Sequence, residues 1–211
     1  MEEVQLLPAD KLAWHEEQTA IPLPPEEVYA RLNGAPLEGL VPGTGRIPAV
    51  VGTAALNDIP FPHPGARRRV MLADGNTATE EVIENTPDAY FSYKVWAYTL
   101  STARPIRYGK GEFWYLPADH GQATTLRWRY SFKLRSDRFP GMLGPFGRFL
   151  FTKAFLDRAY ATFMKSAMNA IERYALQPAG RQPGPGDLRY PDAATSMPCL
   201  RRTPSTALYD S

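Results

Sequence analysis

Arg68, Glu80 and Glu81 are the charged residues whose types and spacing could perform acid–base chemistry in this chain. Arg68 alternates with apolar residues along a strand, so it shares their face. An arginine on an inner face is costly unless it meets a carboxylate or a polar ligand. There it could anchor a carboxylate, phenolate or enolate oxygen and stabilise developing charge. The alternative is an outward side chain beside Arg67 and Arg69.

The two adjacent glutamates must point to opposite faces of their strand, so only one of them can face inward. We expect this to be Glu81 because Ile83 follows on its face, although Val82 makes the same case for Glu80. An inward carboxylate opposite Arg68 would form either a structural ion pair or a general base with an adjusted pKa.

Aromatic residues recur along several strands and could form one wall of a binding site. The phenol of Tyr93 could donate a hydrogen bond, which makes it the third catalytic candidate after Arg68 and Glu81. Ordinary core packing is the alternative role for any single ring. On the strand from Tyr108 to Leu116, one face carries Phe113 and Tyr115 and the other carries Glu112 and Trp114, and the alternation alone does not choose between them.

Hairpins and one long helix must position these side chains. A strand near the N-terminus is followed by two short helices, and three hairpins then lead into a helix of about 30 residues. A curved antiparallel sheet closed by a single amphipathic helix leaves a cavity between the two. The turns and the helix are predicted at Ala73–Asn76, Thr86–Asp88, Pro117–Gly121 and Phe146–Leu176.

The charge balance argues against a nucleic-acid partner. The chain has 24 basic and 22 acidic residues, a formal net charge of +2. Such a balance provides no overall attraction to a polyanion, and short basic runs such as Arg67–Arg69 are typical of a solvated sheet surface. We therefore predict no nucleic-acid partner.

Metal, thiol and nucleotide chemistry also lack support. The single cysteine, Cys199, excludes an internal disulfide and a multi-cysteine metal site. His15, His63 and His120 are isolated in the sequence, and the segment Gly109–Glu112 lacks the spacing and the following helix of a phosphate loop. The sequence therefore predicts neither a metal nor a cofactor.

The length and hydrophobic content fit one domain with one core. We predict an N-terminal extension over residues 1–9, a ligand-binding domain over 10–177 and a proline-rich disordered tail over 178–211. Apolar stretches such as Ile47–Val51 are far too short to cross a membrane, and no secretory signal is readable. We expect a cytoplasmic protein with no integral membrane segment; its oligomeric state stays open.

The order of elements resembles the helix-grip fold of the START/Bet v 1-like (SRPBCC) superfamily, which includes polyketide cyclase/dehydrase and lipid-transport proteins. The resemblance covers about residues 10–176. Its motifs are short and specify the fold far better than the chemistry. The first motif is an arginine-containing strand that runs into an Asp-Gly turn, Arg68–Gly75. The next two motifs are the two strands that follow, Glu80–Glu84 and Phe91–Val95. The fourth is the penultimate turn together with the start of the last strand, Gly121–Trp128.

This resemblance implies an α+β fold, in which a curved antiparallel sheet wraps around a long C-terminal helix and two short helices follow the first strand. It also implies an interior pocket for a small hydrophobic or aromatic ligand. The family pattern favours Phe113 and Tyr115 as inward residues. The predicted ligand-binding residues are Phe113, Tyr115, Trp128, Tyr130, Phe132, Tyr160 and Met164.

Three functional hypotheses follow, because the fold does not choose among its members' activities. The first is a carrier or sensor for a hydrophobic, aromatic or polyketide-like molecule. The second is a cofactor-independent cyclase, dehydratase or lyase, in which Arg68 polarises an oxygen and a glutamate or tyrosine moves a proton. The third is a protein-interaction module.

Overall fold

The structure is a computed structural model that describes residue 6 and residues 11–177. Apart from residue 6, the predicted N-terminal extension lies outside the described residues. The predicted tail, residues 178–211 with Cys199, lies outside them as well.

One seven-stranded antiparallel sheet forms the frame of the described chain. Its spatial order is β1-β7-β6-β5-β4-β3-β2, so successive hairpins build the sheet outward from β7, and β1 closes the other edge. This confirms the predicted meander. The strands are β1 (Ala13–Ile21), β2 (Val50–Ala55), β3 (Arg67–Leu72), β4 (Thr77–Thr86), β5 (Tyr90–Trp96), β6 (Ile106–Ala118) and β7 (Ala123–Leu134).

Helices cover the concave side of this sheet. Two short helices follow β1: α1 (Pro25–Leu32) begins with a proline and two glutamates, which suit a helix N-terminus, and α2 (Leu37–Leu40) is a single turn. The predicted long helix is present, but it is built from three consecutive segments. These are α3 (Gly144–Phe151), a π-helical segment (Thr152–Tyr160) and α4 (Ala161–Ala175).

The core lies between α4 and the concave face of the sheet. Leu126, which is fully buried on β7, belongs to the same cluster as Met164 and Ala167 of α4. The closely packed end of the fold therefore lies at α4, whereas the cavity lies at the other end, around the π-helical segment.

Among the described helices, none is long and apolar enough to cross a membrane.

The convex face of the sheet carries charged and tryptophan side chains. Arg127 and Arg129 lie over the ring of Trp114, at 4.5 and 5.4 Å from its centroid, and Arg129 also forms an ion pair with Glu16. The alternating basic residues of β7 thus occupy the solvent side, as their pattern predicts.

Candidate ligand-binding cavity

A cavity of about 500 Å³ lies between the concave face and the π-helical segment. This volume is within the range of small-molecule sites, and most of its wall is apolar. The strands, α2 with the loop after it, and the turn after β5 all contribute. The principal wall residues are Leu37, Val41, Val50, Val70, Ala78, Glu80, Tyr93, Val95, Tyr98, Ile106, Trp128, Tyr130, Phe132, Phe155, Tyr160 and Phe163.

Two glycines on β6 make room for the tyrosines of this wall. An added Cβ at Gly109 would overlap the ring of Tyr130, and one at Gly111 would overlap the ring of Tyr93. Because neither glycine has a side chain, both rings can lie flat against the sheet. The glycines therefore determine the depth of the cavity floor.

Aromatic contacts connect the sheet to the helix. Phe113 stacks on Trp128 with ring centroids 5.2 Å apart and planes inclined by only 7°. Tyr160 meets Tyr130 at 5.3 Å and Phe132 at 4.9 Å. Offset and edge-to-face contacts of this kind each add roughly 0.5–1.5 kcal/mol beyond burial. The wall is therefore a fixed aromatic surface suited to a flat partner.

Arg68 and Glu80 form an ion pair at the cavity wall. The Nη2 and Nε atoms of Arg68 lie 2.6 and 2.8 Å from the same oxygen, Oε1 of Glu80. The guanidinium also lies 3.7 Å from the ring centroid of Phe61. Glu80 lines the cavity, and both of its contacts with Arg68 are made by Oε1. The guanidinium thus holds one of the two carboxylate oxygens.

The expectation that Glu81 is the inward glutamate is wrong. Ala78, Glu80 and Val82 are buried on the concave side, whereas Glu81 lies on the convex face. There its carboxylate pairs with Arg67 and, at 3.1 Å, with Lys94. The register across β3 and β4 causes this, because Arg68 stands directly opposite Glu80.

The other predicted site residues divide into two groups. Tyr93, Trp128, Tyr130, Phe132 and Tyr160 all line the cavity. The rest lie behind it: Phe113 is covered by Trp128, Tyr115 packs edge-on against Tyr29, Met164 is in the core, and Arg68 reaches the cavity only through Glu80.

Sequence reasoning missed other wall residues. Phe155 lies in the π-helical segment, so it does not belong to a clean periodic pattern. Arg46 and Ala154 line the cavity while remaining exposed, which places an opening beside them. The proline and glycine residues around Arg46 indicated a loop but not where that loop would lie.

Burial keeps the phenols of the cavity neutral. Burial is the largest cause of the raised pKa at Tyr93, Tyr98, Tyr130 and Tyr160. The charge of Glu80 raises the pKa of Tyr93 further. At neutral pH these hydroxyls are therefore hydrogen-bond donors rather than bases.

Two of the buried donors are not satisfied within the described chain. The hydroxyl of Tyr98 and the indole nitrogen of Trp128 make no hydrogen bond of normal geometry there. Each contacts a neighbouring phenol, Tyr130 and Tyr93 respectively, and the contact lowers the pKa of Tyr98 in the first pair and of Tyr93 in the second. An unsatisfied buried donor costs about 1–3 kcal/mol, so an acceptor placed in the cavity would be bound favourably.

The sequence of this domain matches a known family. Residues 15–175 match the family described as polyketide cyclase / dehydrase and lipid transport. The chain belongs to this family. A search of the curated proteins finds no match.

Several solved structures share the helix-grip fold of this chain. An aromatase/cyclase from Streptomyces sp. R1128 has 18% identity and a TM-score of 0.54, covering 80% of this chain and 98% of its own. Norcoclaurine synthase from Thalictrum flavum has 11% identity and a TM-score of 0.54, with coverages of 78% and 94%. Ara h 8.0201 has 16% identity and a TM-score of 0.53, with coverages of 78% and 98%. At these identities the likeness shows the fold alone.

Proposed function

We propose that this protein is a carrier or sensor that binds a flat, hydrophobic molecule bearing an acceptor oxygen. The observation that carries the proposal is the pair of unsatisfied donors, Trp128 Nε1 and Tyr98 Oη, within an aromatic cavity of about 500 Å³. The rings provide a rigid apolar surface, and the donors orient a carbonyl or phenolic oxygen. An aromatic or polyketide-like compound has both features.

The charge of the cavity favours binding over catalysis. The Glu80 carboxylate is engaged in an ion pair with Arg68, and the surrounding phenols are held neutral. We therefore infer binding without catalysis as the primary role of the cavity. The family description, which includes lipid transport, also accommodates a carrier.

A second candidate is a cofactor-independent cyclase or dehydratase. It is favoured by Glu80, a carboxylate at the cavity wall whose Oε2 takes no part in the contacts with Arg68. That oxygen could accept a proton from a carbon next to a ligand carbonyl, while Tyr93 or Tyr98 donates a hydrogen bond to the developing enolate oxygen. The family description includes cyclases and dehydrases as well.

The proposed ligand class is tested by isothermal titration calorimetry with three probes: 2-naphthol, naphthalene and laurate. We expect 2-naphthol to bind more tightly than either naphthalene, which lacks the oxygen, or laurate, which lacks the flat ring. Tyr98→Phe removes only the donor and should weaken 2-naphthol by roughly threefold to tenfold while leaving naphthalene unchanged.

Tyr115→Phe is the matched control, because Tyr115 is buried but lies outside the cavity wall. It should leave the affinity for both aromatic probes unchanged. The proposed ligand class is wrong if laurate binds best, or if Tyr98→Phe binds 2-naphthol as tightly as the wild type.

A further inference from the structure

Five apolar side chains stand exposed on the segment that leads into α3 and on α3 itself. Their exposed fractions run from 42% at Leu143 to 64% at Phe139. We call this surface the apolar knob. It consists of Phe139, Met142, Leu143, Phe146 and Phe149.

Helix α3 is apolar on two sides. Its sequence is GPFGRFLF, so Arg148 is its only charged residue. Phe151 turns inward and lines the cavity, whereas Phe146 and Phe149 are 60% and 57% exposed. A helix that is apolar all round is normally buried, so the outer side of α3 lacks the apolar environment that its sequence fits.

Basic residues flank the apolar knob along the sequence. Residues 135–158 contain five cationic and two acidic side chains, a local net charge of +3. Both acidic groups are already paired, Asp137 with Arg135 and Asp157 with Lys153. The surface therefore combines protruding aromatic rings with excess positive charge.

We propose that the apolar knob docks on the surface of an anionic lipid bilayer. Phenylalanine rings can enter the boundary between headgroups and acyl chains, while arginine and lysine extend to the lipid phosphates. A second copy of this chain fits less well, because a two-fold contact through the knob would bring Arg148 close to its own counterpart. The positive charge thus selects the bilayer as occupant.

The apolar knob lies close to the cavity opening, so docking would affect how a ligand enters the cavity. Ala154, an exposed residue of the cavity opening, lies five residues after Phe149, about 8 Å along a helix axis. Docking through the knob would bring the opening close to the bilayer, where a hydrophobic ligand could pass between lipid and cavity. This inference goes beyond the ligand proposal, and vesicle binding can be measured without any ligand.

The test is co-sedimentation of the full chain with phosphatidylcholine vesicles, with and without phosphatidylserine. We expect binding to the anionic vesicles that weakens at high salt. The double variant Phe146→Ser with Phe149→Ser should lower the partition coefficient by roughly tenfold or more. Lys153→Glu should lower it on anionic vesicles only.

The matched control is Val51→Ser with Met71→Ser, which removes two exposed apolar side chains from β2 and β3. It should leave vesicle binding unchanged. A circular dichroism spectrum and a urea unfolding curve like those of the wild type check that the Phe146→Ser, Phe149→Ser variant is folded. Docking is refuted if the wild type binds neither vesicle, or if the control variant loses as much binding. It is also refuted if light scattering shows a dimer that the phenylalanine substitutions dissociate.

Discussion

Arg68 and Glu80 stand directly opposite each other on β3 and β4, with 2.6 Å between Nη2 and Oε1. Their side chains are only 13% and 5% exposed, so the pair is almost fully removed from water. It is the one place where the described wall of the aromatic cavity meets a buried ion pair. A ligand's polar end would meet an oxygen of Glu80 there rather than a free arginine.

Glu80→Gln should weaken the fold and alter the cavity, because it leaves the Arg68 charge buried without a partner. Loss of one member of a buried pair costs about 3–5 kcal/mol, and residual solvent access places our expectation at the lower end. Glu81→Gln is the matched control, since Glu81 is likewise paired, with Arg67 and Lys94, but faces outward. Both should lower the unfolding free energy in urea, and only Glu80→Gln should change 2-naphthol affinity.

The same two variants distinguish a carrier from an enzyme. If the protein catalyses a proton transfer, Glu80→Gln should abolish turnover of a polyketide-type ketone at saturating substrate, while Glu81→Gln keeps it. A carrier shows no turnover in either variant. Equal loss of turnover in both variants would argue against Glu80 as the base.

Replacing both partners of the ion pair should restore stability. In the double variant Arg68→Met with Glu80→Leu, no buried charge remains, and apolar replacements of buried pairs are often neutral or stabilising. We expect its unfolding free energy to lie within about 1 kcal/mol of the wild type. A double variant as unstable as Glu80→Gln would show that the pair contributes more than mutual neutralisation.

Gly111→Ala should displace Tyr93 from the cavity floor, because the new methyl group would overlap the Tyr93 ring. Forcing extra volume into a packed site costs about 1–3 kcal/mol, and the affinity for 2-naphthol should fall with it. Gly45→Ala serves as control, since its added Cβ would meet nothing within 4 Å. Thermal unfolding and calorimetry should show an effect only at Gly111; equal effects would contradict the proposed role of this glycine.

Alkaline pH should destabilise the fold through the buried phenols. The folded protein keeps Tyr93, Tyr98, Tyr130 and Tyr160 protonated above the ordinary tyrosine pKa of about 10, whereas the unfolded chain releases those protons. Their contribution is therefore complete below pH 10 and is lost as the pH rises above it. The chain has 11 tyrosines, and the share of the phenolate absorbance that belongs to these four should lag until unfolding and then rise abruptly. A single smooth titration of every tyrosine near pH 10 would contradict this.

The fold could be predicted because its signals are local. Alternation on β7 and the apolar face of the closing helix both appear as clean periodicities, and the structure confirms the meander and the helix. The π-helical segment carries no such signal. Its wider turns bring Ala154 and Phe155 to the cavity, which the period of an ordinary α-helix does not anticipate.

The choice between Glu80 and Glu81 depended on the length of a single turn. The amide of Gly75 and the carbonyl of Asn76 both bond to Leu72, so the β3–β4 loop contains three residues and ends on a glycine with φ of +80°. That loop length places Arg68 opposite Glu80. The same sequence treated as a four-residue turn shifts the register by one, which exchanges the two glutamates.

The wall of the cavity was harder to predict than its existence. Phe113 and Tyr115 share the concave side with Tyr93, but Phe113 stacks on Trp128 and Tyr93, and Tyr115 packs against Tyr29 of α1. Which aromatic ring reaches the cavity surface depends on the sizes of the side chains that neighbour it on the adjacent strands and helices. A pattern of alternating residues contains no information about them.

Native mass spectrometry of protein purified from its own host tests the central claim most directly. The wild type should retain a flat, oxygen-containing aromatic or polyketide-like molecule. Ala154→Trp, which fills the cavity opening, should retain far less of it, and Asn169→Trp on the exposed side of α4 should retain it fully. An acyl-chain lipid in the wild type, or equal retention by Ala154→Trp, would contradict the claim.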